Sequence, residues 1–535
     1  MIMILYVINY LKKNKFQLLF LIVCCFLSAL IEIAMPYVTA KFVDDVLVSH
    51  SSETFYCFAS AIFFISIIAV STHYFSIIIS AKLQIVTINN ATYDVLQHIH
   101  KLPNNFFIEN DMLYLSKRID NDIYDIVSFV IKGLLHSLVN IFFLISTIIL
   151  LWKIGFLWTA IFFIIALLYI IVYKLLQKTM FALLFDVREK QNKYFARFTD
   201  NFIYIHAIKI HSLSKEFMGR FQNTFKDWLV AGLKEAKFSL WFSSSRDMIN
   251  KVIVVLIFFF GGSQVLNSNL SVGNFVALSG YYALAFSGLA YFLNLGHEYQ
   301  DALSAYARLK EIQNYPIEKN GYCYFDNGIS IISLENVTYS LNDNIICDNF
   351  SYTFTAGNIY CLTGKNGSGK STFLKLLMGI VKPQSGYIKY NSISIDDVDL
   401  ITERRKNISV VEQFPFIVDD SLENNIKFGV DATDKNLYDN LLDKFKLGII
   451  EYRKFENSVS LSDKLSGGEK QKIALLRGML KKASVFLLDE PESSLDINAM
   501  EILLKLLREE KETRITIIVS HEPKVIELAD YIVQF

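Results

Sequence analysis

Charge is what this 535-residue sequence has least of: Asp, Glu, Lys and Arg make up 19% of it, against about a quarter in ordinary soluble chains. Its 52 basic and 52 acidic residues cancel, so nothing in the balance points to nucleic acid or another acidic polymer. Cysteine is sparse too. The six thiols, at 24, 25, 57, 323, 347 and 361, have no spacing that suits a zinc site or a redox pair. Cys24 and Cys25 read as small apolar residues of a membrane helix. A cleavable leader is not evident, because the first long apolar run has no small-residue cleavage site and continues to spanning length. What is abundant is apolar: 53% of the residues are hydrophobic, with 44 Phe and 28 Tyr.

A membrane-spanning helix needs about 20 largely apolar residues. Phe16 to Ala40 meets this with one charge, Glu32, and Thr54 to Ala81 with none. Ile126 to Leu151 contains Lys132 near one end, where it can snorkel. Ile154 to Tyr173 and Val272 to Gly296 are free of charge. Ser239 to Gly262 is mixed, since Arg246, Asp247 and Lys251 precede the apolar run Val252 to Phe260. Six spans are therefore predicted.

Lys12, Lys13 and Lys15 precede the first span, which puts the N-terminus on the cytoplasmic side. The outer loops are then residues around 46–53, 152–153 and 263–271, all short and nearly free of Lys and Arg. The inner segments, 82–125 and 174–238, are long and carry both signs of charge. Lys174 to Phe238 has no Pro and has apolar residues at helical spacing, so the spanning helices are expected to continue into the cytoplasm.

Composition shifts near residue 312. Pro316, Asn320, Gly321, Asn327 and Gly328 mark a linker, and beyond it short β-branched strands alternate with helices, as in an α/β domain. Strand Ile359 to Thr363 runs into Gly364-Lys365-Asn366-Gly367-Ser368-Gly369-Lys370-Ser371-Thr372, which fits the phosphate-loop pattern G-x-x-x-x-G-K-[ST]. Gly364, Gly367 and Gly369 leave room for backbone N–H groups to face phosphate oxygens, and the helix that follows adds a partial positive charge. Lys370 is placed to reach the β- and γ-phosphates and Ser371 to ligate Mg²⁺. A second strand, Ser484 to Leu488, ends in Asp489-Glu490; Asp489 suits the Mg²⁺ shell and Glu490 a general base. A third, Ile515 to Val519, leads to Ser520-His521, where a γ-phosphate contact and an ordinary surface histidine are both open. Leu465-Ser466-Gly467-Gly468-Glu469 opens another helix. That is either a helix cap or a second anion site.

These residues together resemble the ATP-binding cassette family. The order is that of its phosphate loop at 364–372, glutamine loop at Gln413, signature at Leu465–Glu469, Walker B strand at Val485–Glu490, D-loop at Ser494-Leu495-Asp496 and switch histidine at His521. The membrane half is similar to the exporter half-transporters. Leu102-Pro103 with Phe106-Phe107, Arg118 and Asp122, Gly261-Gly262 with Leu270-Ser271-Val272-Gly273, and Ala305 to Ile312 with Arg308 carry that likeness. The implied fold is a multi-domain membrane protein. An all-α six-helix transmembrane domain (1–312) and a linker (313–328) precede an α/β P-loop cassette (329–535) with an antiparallel β subdomain and a helical subdomain.

The resemblance implies ATP and Mg²⁺ as cofactors. Catalysis falls to Glu490, His521 and Lys370. Nucleotide contacts come from residues 364–372, Gln413, Ser466, Gly467, Gly468 and Glu469, and metal contacts from Ser371, Gln413 and Asp489. It implies a second half-transporter subunit, each ATP lying between one phosphate loop and the partner's signature. Nothing marks this cassette as degenerate, so a homodimer is the simpler expectation and a heterodimer the alternative. Coupling helices are expected near 109–120 and 200–208. The sequence departs from the family at Leu341, where an adenine-stacking aromatic is usual; Tyr339, two residues earlier, is the candidate substitute. It also ends soon after the switch-histidine strand, and begins about fifteen residues before the first span, without room for a peptidase domain.

The function expected is ATP-driven export of a peptide or amphipathic small molecule across the cytoplasmic membrane. Flipping of a lipid or lipid-linked sugar, and ATP-gated regulation without net transport, are the alternatives. Glu32 and Arg246 either line an inward-facing cavity or pair between helices. Tyr281, Tyr282 and Phe286 either meet cargo or pack.

Overall fold

The computed structural model describes residues 2–49, 52–110, 112–341, 344–430, 434–448 and 464–535. Two compact units emerge: Met1–Ile99 with Leu113–Asn314, and His100–Met112 with Tyr315–Phe535.

The first unit is helical throughout. Helix α1 (Ile2–Leu11) precedes α2 (Lys15–Ser49), and α3 (Ser52–Ile99) follows. Helix α4 (Asn104–Glu109) belongs to the second unit; after it, helix α5 (Met112–Ser128) passes through a π-helical segment, Phe129–Leu134, into α6 (Leu135–Ile154). Then come α7 (Phe156–Ile203), α8 (Ile205–His211), α9 (Ser214–Leu256), α10 (Gly262–Leu266) and α11 (Val272–Gln313). Among the described residues, six stretches are long and apolar enough to span a membrane: Ile2–Val46, Phe55–Ile99, Leu115–Ile154, Phe156–Ile203, Ser214–Leu266 and Val272–Phe292. A 48-residue helix such as α3 or α7 is about 72 Å long, more than twice the ~30 Å hydrocarbon core, so the expected continuation beyond the membrane is present. Many large apolar side chains on these helices stay exposed, among them Phe16, Val70, Ile164 and Phe259. In hydrocarbon solvent that is the favourable arrangement, because backbone satisfaction and not side-chain burial decides what can span.

Helix α11 is held against α2 by a close backbone approach. A Cβ at Gly273 would lie 2.0 Å from the Ala40 carbonyl oxygen, and the Gly273 N–H donates to Asp44 Oδ1 at 2.7 Å. The Ser271 hydroxyl caps the same helix by accepting from the Asn274 N–H. Tyr281, Tyr282 and Phe286 pack with Trp158 and Phe162 in one buried cluster, and the Tyr282 hydroxyl donates to the Trp158 carbonyl at 2.5 Å. Packing is thus a role all three have.

The short helices differ from expectation at the first site. Helix α4 covers Asn104–Glu109, and residues 112–120 already belong to α5. Pro103 is extended (φ −68°, ψ 153°), and so is Asn110 at the other end; these fix the six-residue element that the sequence reading placed a few residues later. The second, α8, overlaps the expected 200–208.

The second unit holds two sheets. Strands β1 (Ile331–Leu341), β2 (Asn344–Thr355), β4 (Ser385–Tyr390) and β5 (Ile393–Ser394) form an antiparallel sheet in the order β2-β1-β4-β5. A parallel sheet in the order β6-β7-β8-β3-β9 uses β3 (Ile359–Thr363), β6 (Ile408–Val411), β7 (Val485–Asp489), β8 (Ile515–Val519) and β9 (Tyr531–Gln534). Between them run α12 (Lys370–Leu377), α13 (Leu400–Lys406), α14 (Leu422–Lys427), α15 (Lys435–Lys444), α16 (Gly467–Leu480), α17 (Ile497–Glu509) and α18 (Pro523–Leu528). The central strands β3, β7 and β8 read as unbroken apolar runs and are buried on both faces. Residues expected to be a linker are folded onto this unit. The Gly321 N–H donates to the Val398 carbonyl at 2.9 Å, and Arg404 pairs with Glu318 at 2.7 Å.

Within the helical unit, Arg308 of α11 grips the buried Asp122 of α5 through Nε at 3.1 Å and through Nη2. Breaking a buried pair costs several kcal/mol, and the 38% exposure of the Arg308 side chain softens that. Asp122→Asn is therefore expected to destabilise the helical unit by about 2 kcal/mol. Thermal unfolding in detergent should show a lowered midpoint, with Lys193→Gln at an exposed pair as the unchanged control.

Candidate active site

The register of the parallel sheet brings three chain segments to one edge. Leu362 of β3 lies opposite Val519 of β8, and Asp489 of β7 lies opposite the same Val519. The residues that follow each strand therefore leave the sheet side by side: Gly364–Gly369, Glu490, and Ser520–His521. In a parallel sheet this carboxyl edge is where ligands bind.

The phosphate loop needs a left-handed backbone at Gly367 (φ +78°) and Gly369 (φ +94°), which glycine adopts without a Cβ penalty. A Cβ on Gly369 would also strike Ile346 at 2.8 Å. Lys370 is buried, and its ammonium donates to the carbonyls of Gly364 at 2.9 Å and Lys365 at 3.1 Å, which lays the positive charge across the loop. The Ser368 hydroxyl is buried with no hydrogen-bond partner, an unmet polar group of the kind a phosphate oxygen satisfies. Ser371 hydrogen-bonds Asp489, whose carboxyl burial pushes above its ordinary range. Glu490 has φ +45°, its N–H donates to the Val519 carbonyl at 3.0 Å, and its carboxylate accepts from Gln413 Nε2 at 2.6 Å. Hydroxyl, amide and carboxylate oxygens gathered beside a phosphate cradle fit Mg²⁺, a hard cation that takes few protein ligands together with substrate phosphates.

The structure brings Gly364–Thr372, Gln413, Asp489, Glu490 and His521 together at this edge through strand register and side-chain contact. It places the signature residues differently. Ser466 caps α16 in a reciprocal box: its hydroxyl accepts from the Glu469 N–H at 3.3 Å, and its own N–H donates to Glu469 Oε2 at 2.8 Å. The cap role is thus present within one subunit, and Gly467 and Gly468 pack on Ser494 of the D-loop. Lys472 of α16 pairs with Asp496 at 2.5 Å, tying signature helix to D-loop. Tyr339 is 6% exposed in the cassette core. It lines a cavity of about 700 Å³ with Pro103, Asn105, Gly379 and Lys382, at the far end of α12 from the phosphate loop. The residue nearer that loop is Ile346.

Glu492 has no role in the sequence reading. Its Oε1 accepts from the fully buried Ser520 hydroxyl, which in turn accepts from the Glu522 N–H at 3.0 Å. The His521 backbone N–H also interacts with this carboxyl, and burial pushes its pKa up. The chain just after Glu490 is thereby pinned to the loop that carries His521. An acid two residues past Glu490, with a serine beside His521, is the signal a sequence offers for it.

A P-loop nucleotide-binding domain behind a six-span helical domain is the class these features define. A family model described as ABC transporter transmembrane region matches residues 18–289, and one described as ABC transporter matches 347–493. The chain belongs to the ABC transporter family. It is 28% identical over 366 residues to the "Iron-sulfur clusters transporter ATM1, mitochondrial" of Saccharomyces cerevisiae, covering 65% of this chain and 52% of that one. It is 30% identical over 348 residues to a "Putative export ATP-binding/permease protein" of Rickettsia felis, covering 62% and 59%. The chain thus spans between half and two thirds of the length of these relatives. A solved bacterial Atm1-family ABC exporter with ATP bound shares the fold at TM-score 0.83 and 19% identity, over 97% of this chain and 93% of that one.

If Glu492 holds the switch loop through Ser520, Glu492→Ala and Ser520→Ala should each slow ATP hydrolysis about tenfold, the rate equivalent of one charge-assisted hydrogen bond. The double variant should be no slower than either single one, and Glu492→Gln, which keeps the acceptor, should stay within about twofold of the parent. Steady-state kcat with the KM for ATP reads this out.

Proposed function

We propose that the chain is one half of a dimeric ATP-driven exporter in the cytoplasmic membrane, with its N-terminus and cassette in the cytoplasm. The observation that carries this reading is the flush sheet edge, where a phosphate loop, a carboxylate pair and a histidine converge behind six membrane spans. Gly364–Thr372 would hold the triphosphate, and Ser371, Asp489 and Gln413 would hold Mg²⁺, which would offset phosphate charge. The nucleotide supplies the phosphoanhydride whose cleavage drives the cycle. Lys370 neutralises phosphate charge, Glu490 takes the proton of the attacking water, and His521 steadies the γ-phosphate. Gln413 holds the Glu490 carboxylate in place through its amide. The exposed ends of the Ser466–Gly468 turn serve the partner subunit's nucleotide, so two subunits of the same kind complete two sites.

The cargo reading rests on a cavity of about 530 Å³ lined by Tyr169, Asp247, Tyr282, Phe286, Ser287 and Tyr291. Aromatic walls with one carboxylate and a few hydroxyls match an amphipathic molecule or a peptide segment. The curated relatives include proteins named as iron–sulfur clusters transporters. The described lining residues here include no Cys or His, which favours an organic amphiphile over a bare metal centre. Glu32 lines an adjoining groove with Pro36 and Thr39, which shares Ser279, Ala283 and Ser287 with that cavity. The side chain of Arg246 lies outside the described residues.

Proteoliposomes with outward-facing cassettes are expected to accumulate a fluorescent amphiphile against a gradient only with hydrolysable ATP. Glu490→Gln should bind ATP, lose turnover by about a hundredfold or more, and elute as a nucleotide-trapped dimer. A monomer that hydrolyses at the parent rate, or Glu490→Gln at full speed, overturns the proposal.

A further inference from the structure

Another cavity in the helical unit is too small for cargo. It measures about 260 Å³ and is lined by His73, Ser76 and Ser80 of α3, Cys25 of α2, and Lys132 and His136 of the third span. Drug-sized ligands need about 300–1,000 Å³, so this volume suits a head group. His73 and Lys132 are close enough to His136 to act on it electrostatically. Among the described residues no carboxylate forms an ion pair with Lys132.

The local backbone presents this cation. Lys132 sits in the π-helical segment Phe129–Leu134, and such irregular turns concentrate at functional sites. The Tyr291 hydroxyl donates to the Gly133 carbonyl, satisfying a backbone acceptor at the irregular turn. One helical turn later His136 falls on the same side.

Depth supplies the second argument. The third span ends at Ile154, with Trp152 and Lys153 as interfacial residues. About 33 Å of helix separates Lys132 from that end, slightly more than the ~30 Å hydrocarbon core. His73 lies about 32 Å along α3 from Ser52. Two helices counted independently therefore place the cluster near the hydrocarbon edge on the side from which the long helical arms project, where Lys132 can snorkel to the head groups. His73, Lys132 and His136 are exposed there, beside the exposed apolar Ile77.

We propose that this cavity is a binding site for a phosphate group, supplied by the head group of an anionic phospholipid in that leaflet. Lys132 provides the charge, His73 and His136 donate ring N–H groups, and Ser76 and Ser80 lie within the same pocket. The acyl chains run along the exposed apolar surface of α3. A soluble phosphate-bearing ligand shares the recognition chemistry but not the tails.

The test uses the full-length dimer in phosphatidylcholine nanodiscs doped with phosphatidylglycerol, with lipid retained after delipidating washes counted by native mass spectrometry. The parent should retain phosphatidylglycerol over phosphatidylcholine. Lys132→Gln should lose roughly fivefold of that preference, the weight of one basic residue near an anionic surface, while Lys132→Arg keeps it. His136→Leu decides the matter should Lys132→Gln fail to assemble, since it removes a donor and leaves the Lys132 charge. Parent-like retention in whichever of these two variants assembles overturns the site. Saturating inorganic phosphate distinguishes the sources: bound lipid that resists it supports the lipid assignment, and bound lipid that it displaces overturns that assignment in favour of a soluble phosphate ligand. None of these outcomes depends on ATP hydrolysis, so the exporter reading stands or falls separately.

Discussion

Everything chemical in this chain depends on the parallel register of β3, β7 and β8. Leu362, Val519 and Asp489 share one level of the sheet, and a slip of one residue would move Glu490 or His521 about 3.3 Å and turn its side chain to the other face. The burial of all three strands enforces the level. Alternate residues of these strands enter two different cores, Cys361, Phe486 and Ile518 on one face and Leu362, Leu487 and Val519 on the other, so a slip would exchange side chains of unlike size in tightly packed surroundings. The phosphate loop, the two carboxylates and the histidine are positioned by that burial before any ligand contributes.

The membrane unit follows a different constraint. Its helices satisfy their own backbone and leave apolar side chains outward, so side-chain packing has only to hold helix against helix. It does so through the buried cluster around Trp158 and Tyr282 and through strong local devices: Gly273 against the Ala40 carbonyl, Asp44 on the Gly273 N–H, and Arg308 on Asp122. Each joins segments far apart in sequence, which is what a chain of long helices with little mutual burial requires.

The fold class was legible because its signals are periodic or local: spans of about 20 apolar residues, β-branched runs, and a nine-residue loop whose glycines have one purpose. Arg118, Asp122 and Arg308 stood out in the sequence, but the bond between Arg308 and Asp122 needed three dimensions. Residue positions set by a single proline were legible only to within a few residues, as the early start of α4 after Pro103 illustrates. Tyr339 illustrates the harder case. Two residues along a strand keep the same face, which made it a plausible neighbour of the nucleotide, but register shifts near Tyr339 in β1 and burial carry its ring into the core. Glu492 was hidden for the opposite reason: an acid beside a known motif reads as surface charge until its hydrogen bond to Ser520 is seen.

The left-handed backbone at Glu490 has a consequence for the chain's history under selection. A β-carbon is disfavoured at φ +45°, and glycine would relieve the strain. Protein engineering that screens only for heat resistance would drift toward that relief and erase the carboxylate that Gln413 holds at the sheet edge. The proposed work of the Glu490 side chain and the comfort of its main chain are thus opposed at a single position, and a screen that demands turnover is what would keep the acid there.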